Sequence, residues 1–161
     1  MGDEHSDVAA SLNNLAKLYY SQGRYLEAES LYQQALQLMR RLLGDEHPSV
    51  ATILNNLALL YEFQERYADA EPLYQQASEL RRRLLGDEHP DVAVSLNNLA
   101  FLYNLQGRYT EAEKLYQQAL EIFEQRLGVN HPYTVSVREK LARVCAQLAS
   151  EQEKSSSETQ R

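Results

Sequence analysis

Apolar residues fall along this chain with helical spacing, in two blocks that then recur. Val8, Leu12, Leu15, Ala16 and Tyr19 stand at i, i+4, i+7, i+8 and i+11, one face of a 3.6-residue helix. Ala28, Leu31, Tyr32, Ala35, Leu38 and Leu42 trace a second such face. Gln22-Gly23-Arg24 breaks the two, with Gly23 free to take positive φ. So short a connection leaves antiparallel packing as the one arrangement open to the pair.

The pattern has a period. Gly2, Gly44, Gly86 and Gly128 lie 42 residues apart, and residues 2–43 and 86–127 agree at 29 of 42 positions. The fourth unit, opening GVNHPYTVSVREKLA, ends after one helix. A fixed period of this length predicts stacked supersecondary units, each too small to bury its apolar face alone. The expected organisation is all-α with seven helices and no strand. Units span 2–43, 44–85 and 86–127, followed by a capping helix at 128–149 and a polar tail at 150–161. Pro48, Pro90 and Pro132 mark helix starts, where the missing N–H costs nothing, and Asp7 and Asp91 put a carboxylate in the first turn. Two residues strain the scheme. Glu65 stands where the turn glycine belongs, and Pro72 falls inside a second helix, which it should bend.

Leu12, Leu15, Ala16, Tyr19, Ala28, Tyr32 and Ala35 match the spacing of the tetratricopeptide (TPR) consensus. The 42-residue form, with its LNNLALLY, QGRY-EAE-LYQQAL and LG-DHP elements, resembles the kinesin light chain repeat over residues 2–149. The resemblance implies a right-handed α-solenoid of three helix-turn-helix units plus a C-terminal capping helix. It also implies a concave groove that binds a peptide of another protein, with an aromatic residue in that peptide. The heptad region that would meet a kinesin heavy chain is absent from this sequence.

Charge narrows the partners. The formal net charge is −7, whereas nucleic acid and anionic membrane call for a basic footprint. No apolar run approaches the roughly 18 residues of a membrane span. Cys145 is the single cysteine, so no intrachain disulfide forms. A lone thiol reads as inert core in a reducing interior, and the expected compartment is the cytoplasm. The Asp45-Glu46-His47 and Asp87-Glu88-His89 clusters read as polar loops entering helices. Each is too short to surround a metal, and no cofactor motif accompanies them. Nothing points to catalysis, because an active site needs unlike groups converging once and these polar groups recur alike. Nine of the eleven tyrosines occupy three repeat positions, the regularity of packing.

Positions that differ among the units describe the groove. The expected set is Ala10, Asn13, Lys17, Tyr20 and Ser21, then Thr52, Asn55, Leu59, Glu62 and Phe63, then Val94, Asn97, Phe101, Asn104 and Leu105. The last helix adds Ser136, Glu139, Arg143 and Gln147. Asparagine is a mediocre helix-interior residue, yet Asn13-Asn14, Asn55-Asn56 and Asn97-Asn98 recur mid-helix. They are either hydrogen bonds between helices or an amide ladder for a bound peptide, the first asparagine facing the groove. Leu59, Phe63, Phe101 and Leu105 offer large apolar side chains, either packed on one another or forming a pocket for a bulky partner residue. Lys17, Lys140 and Arg143 stand ready for acidic groups, and Glu62 and Glu139 oppose them.

The two ends differ. Arg138 replaces Leu12, Leu54 and Leu96, as suits a cap, while Leu141, Ala142 and Cys145 stay apolar toward the preceding unit. The first helix keeps interior residues at Val8, Leu12, Leu15 and Leu18. That end is expected to continue upstream or to self-associate through the N-terminal unit. A structural segment of a longer array, without a peptide ligand, is thus the rival to a peptide-binding adaptor.

Overall fold

The computed structural model describes residues 2–159, with side chains from 7 to 155. Seven helices and no strand occur among the described residues. They are α1 (Gly2–Ser21), α2 (Tyr25–Leu43), α3 (Pro48–Phe63), α4 (Tyr67–Leu85), α5 (Pro90–Leu105), α6 (Tyr109–Leu127) and α7 (Pro132–Thr159). The chain divides into two compact units, residues 1–86 and 87–161. In the first, α1 pairs with α2, α3 pairs with α4, and α2 packs on α3. In the second, α5 pairs with α6 and α7 closes on α6.

Each pair turns through one motif. The N–H of Arg24 reaches the carbonyl of Tyr19 at 2.9 Å and that of Gly23 reaches Tyr20 at 3.0 Å, the paired bonds of a Schellman turn. Gly23 takes φ +75° to allow it. Glu65 adopts φ +58° and makes the same bonds, Arg66 to Tyr61 and Glu65 to Glu62. The second pair therefore keeps the turn and accepts a side chain in the left-handed region. Pro72 lies within α4 without ending it.

Proline decides where first helices begin. Pro48, Pro90 and Pro132 occupy the first position of α3, α5 and α7. A proline pushes the residue before it out of the α region, so the Gly-Asp-Glu-His stretch ahead of Pro48 and Pro90 is loop. In the first unit Ser6 replaces that proline, and the same four residues join α1, which starts at Gly2. Asp91 lies in the first turn of α5 as expected, but Asp7 falls beyond the first turn of the lengthened α1.

His47 and His89 cap α3 and α5, their Nδ1 atoms accepting the N–H of Ser49 at 3.2 Å and of Asp91 at 3.1 Å. The core is small residues at helix crossings and large ones between. Ala16, Ala28 and Ala35, and likewise Ala58, Ala70 and Ala77, are fully buried, which lets paired helices approach closely. Tyr74 in the first unit and Tyr116 in the second are among the largest fully buried side chains.

The last helix runs on through the polar segment to Thr159, and its apolar face departs from expectation. Its buried stripe is Thr134, Val137 and Val144, with Leu141 half-buried, while Ala142 and Cys145 are exposed. Ala142 stands at the position of the buried Ala16, Ala58 and Ala100, and no second helix follows α7 among the described residues. Cys145 stands at that of Tyr61 and keeps its rim contact with the preceding helix, Sγ to Glu113 Oε1 at 3.4 Å. Cys145 is thus surface, not core. Arg138 is exposed as expected, and its guanidinium binds Glu124 at 2.7 Å and the carbonyl of Val129.

Candidate interaction surface

In the first unit, the variable positions of α1 and α3 build one surface. At its C-terminal end three rings meet. Tyr20 lies 5.9 Å from Tyr25 and 5.8 Å from Phe63, and Tyr25 lies 5.2 Å from Phe63, measured between centroids. Edge-to-face and tilted contacts of this kind are favourable beyond area burial. Phe63 remains 57% exposed and Leu59, one turn before it, 39% exposed. Lys17 is exposed on the same stripe of α1. Toward the N-terminal end of α3, a cavity of about 190 Å³ opens between Ala10, Asn13, Met39, Pro48, Thr52 and Ile53. The surface therefore carries an aromatic platform and an apolar hole.

The asparagines divide between scaffold and surface. Asn13 is only 9% exposed, and its Oδ1 accepts a hydrogen bond from Asn56 Nδ2 at 2.9 Å. In this pair the recurring amide serves the seam between helices. Asn55 is half-buried beside it. In the second unit Lys140 stands at the position of Asn56 and makes the same contact, donating from Nζ to Asn97 Oδ1 at 3.1 Å. Lys140 Nζ also lies 5.7 Å from the centre of the half-buried Phe101 ring, a cation–π arrangement. Asn104 is half-buried, and Leu105 and Arg143 are exposed.

Glu62 does not stand open on this surface. It is buried, and its Oε2 accepts the hydroxyl of Tyr74 at 3.2 Å. Burial, and then the Glu62 charge, push the Tyr74 phenol well above its ordinary value. Tyr20 is raised as well, by burial first and then by Tyr25 and Glu62. Tyr25 and Met39 join the surface from α2. Tyr25 sits at a regular repeat position, whereas the position of Met39 is Arg81 and Phe123 in the later units, so its variability and that of Phe63, whose ring lies against Tyr25, are the signals in the sequence. No group of three histidine, cysteine or carboxylate side chains converges among the described residues, and none of their helices is long and apolar enough to cross a membrane.

The tetratricopeptide repeat family matches residues 7–83, 51–125 and 91–156. No curated protein matches the chain. Among solved structures, a Podosopora anserina protein described as a kinesin light chain with nearly identical TPR-like repeats is 29% identical at a TM-score of 0.82. The match covers 93% of this chain and 71% of that one. BtubC (BKLC) from P. vanneervenii is 24% identical at a TM-score of 0.68, covering 88% and 64%. The first TPR of Spaghetti (RPAP3), bound to the HSP90 peptide SRMEEVD, is 21% identical at 0.67, covering 89% and 95%. The latter two share the fold.

Proposed function

The chain belongs to the tetratricopeptide repeat family, and from that premise we propose that it is a non-catalytic adaptor that holds a segment of another protein on its first-helix surface. The reading rests on Leu59 and Phe63, which remain exposed beside the Tyr20–Tyr25 floor. Exposed apolar side chains grouped over a packed aromatic base favour burial by a partner. An aromatic residue of the bound peptide suits the Phe63 platform, and an apolar one of leucine size suits the cavity beside Asn13 and Ile53. Lys17 supplies positive charge for acidic residues of the peptide. Asn55 is the amide that we assign to its backbone. The assignment follows the likeness to kinesin light chain repeats, and the cytoplasm is the compartment we assign. Neither nucleic acid nor membrane is among the partners proposed.

Selection of a random peptide library on the immobilised chain tests this. Binders enriched in an aromatic residue and lost on Phe63→Asp are expected. Binders indifferent to both Phe63→Asp and Leu59→Asp would refute the surface. A second reading, a structural segment of a longer array, draws on the apolar side chains that α1 exposes at Val8, Leu15 and Leu18.

A further inference from the structure

The Asn13–Asn56 bond sets α1 against α3 and orders the surface of the first unit along its length. The cavity between Ala10, Asn13, Met39, Pro48, Thr52 and Ile53 opens near the start of α3. The exposed Phe63 ring, held against Tyr20 and Tyr25, stands at its end. Ile53 and Phe63 are ten residues apart, which is about 15 Å at a rise of 1.5 Å per residue. Side chains on a helix lean alike toward its start, so this spacing carries over to the surface. Lys17, one turn beyond Asn13, stands level with Leu59 and therefore between the cavity and the ring.

The chemistry along this track is uneven. Ala10, Met39 and Ile53 make one end apolar, and the three rings make the other aromatic. The middle carries one exposed charge. Lys17 is exposed and pairs with no carboxylate among the described residues. Glu62, the other charged residue of the surface, is buried and holds the Tyr74 hydroxyl. A helix laid along the track would press one continuous side onto Lys17 between the two apolar ends. An extended chain turns alternate side chains away and touches only at every second residue. Four residues of extended chain span about 13 Å at 3.3 Å each, and they keep the first, third and fifth side chains on one face.

We propose that the α1–α3 surface reads an extended segment by register: an aliphatic, an acidic and an aromatic residue, each two positions from the next. The inference rests on the adaptor reading above and fixes what that reading leaves open, the spacing of the anchors and the conformation of the segment. The aliphatic side chain enters the cavity beside Ile53, the aromatic one lies on Phe63, and the carboxylate between them meets Lys17. Charge complementarity selects the middle residue, since the exposed charge on the track is positive. The spacing holds whichever way the segment runs, because alternation is the same in both directions.

The probes are labelled peptides with leucine, glutamate and phenylalanine at the first, third and fifth positions of a serine–glycine background, in both orders. They are titrated with the full chain by fluorescence anisotropy. Saturable binding of at least one order below about 1 mM is expected. One residue inserted between glutamate and phenylalanine turns the ring to the opposite face and should weaken binding roughly tenfold or more. Lys17→Glu in the chain should weaken it likewise and should favour the peptide with lysine in place of glutamate. Ala10→Leu, at an exposed position on the cavity rim, should weaken the leucine peptide and leave its alanine counterpart unchanged. Circular dichroism confirms that each chain variant stays helical, and the inserted peptide leaves the chain untouched. Binding that Phe63→Asp abolishes but that ignores the insertion or Lys17→Glu overturns this inference and leaves the adaptor surface standing. So does tighter binding of a lactam-held helical peptide with the same three residues at i, i+7 and i+11. If neither order binds while library peptides still depend on Phe63, the register fails alone. If library peptides also ignore Phe63→Asp and Leu59→Asp, the surface and the register fail together.

Discussion

Tyr61 donates its hydroxyl to Oε1 of Glu29 across the α2–α3 seam at 2.9 Å, while Arg66 holds the other carboxylate oxygen. One carboxylate from the preceding helix pair is thus bound by the turn of the next. Burial first, and then the bond to Glu29, raise the Tyr61 phenol above its ordinary value. Removing the hydroxyl leaves a largely buried carboxylate short of a donor, and hydrogen bonds to charged groups contribute about 1.5–3 kcal/mol. Tyr61→Phe should therefore lower the urea midpoint by an amount in that range at unchanged m. A Tyr61→Phe/Glu29→Gln cycle should show coupling, and strict additivity would deny the contact any energetic role.

The turn between α3 and α4 should be improvable. Glu65 adopts φ +58°, a conformation that glycine reaches freely and other residues reach at about 1 kcal/mol. Glu65→Gly should stabilise the chain by about 1 kcal/mol. Gly107→Ala should cost a similar amount, since a Cβ there meets nothing within 4 Å and the penalty is backbone alone. Chemical denaturation of both variants checks the pair. A destabilised Glu65→Gly would mean that the glutamate side chain contributes more than its backbone costs.

Binding and stability should separate along α1 and α3. Phe63 is mostly exposed, so Phe63→Asp should weaken peptide binding roughly tenfold or more while moving the midpoint little. Asn13 is buried and paired with Asn56. Asn13→Ala should lower stability by about 1–2 kcal/mol, because it removes one member of a buried pair. Isothermal titration beside urea denaturation reads both quantities. An Asn13→Ala variant as stable as the parent would assign the amide to ligand rather than scaffold.

Alkaline pH should unfold the chain through its buried tyrosines. Burial pushes Tyr32 up to about 12 from its ordinary 10.0, and Tyr74 higher still. A phenol whose folded value is raised contributes stability that is complete below the unfolded value and lost as pH rises through the folded one. Stability should therefore fall between about pH 10 and 12. Phenolate absorbance should show a late, cooperative step coincident with loss of helix, and Tyr32→Phe should shift the unfolding to higher pH. Smooth titration of all eleven tyrosines near the ordinary value would contradict this.

Period and pattern in the sequence were enough to determine the helices, their pairing within each repeat and the starts of α3, α5 and α7. Apolar spacing at 3.6 residues, proline at first positions and glycine at turns are local constraints, and each acts within a few residues of itself. They also located the variable positions that became the Phe63 surface. What each side chain does there was decided in three dimensions. Asn13 and Asn55 share a repeat position, yet one is nearly sealed by its bond to Asn56 and the other stays half-buried. Glu62 stands in line with Tyr20, but the Tyr74 hydroxyl draws it inward. Cys145 looks like core in the sequence and is surface in the fold, at the rim position where Tyr61 meets Glu29 and Cys145 meets Glu113. Gly-Asp-Glu-His is loop before Pro48 and helix before Ser6, a difference one residue imposes on the four before it. Burial depends on which neighbour arrives, and a repeating sequence writes the same residue whether that neighbour is present or not.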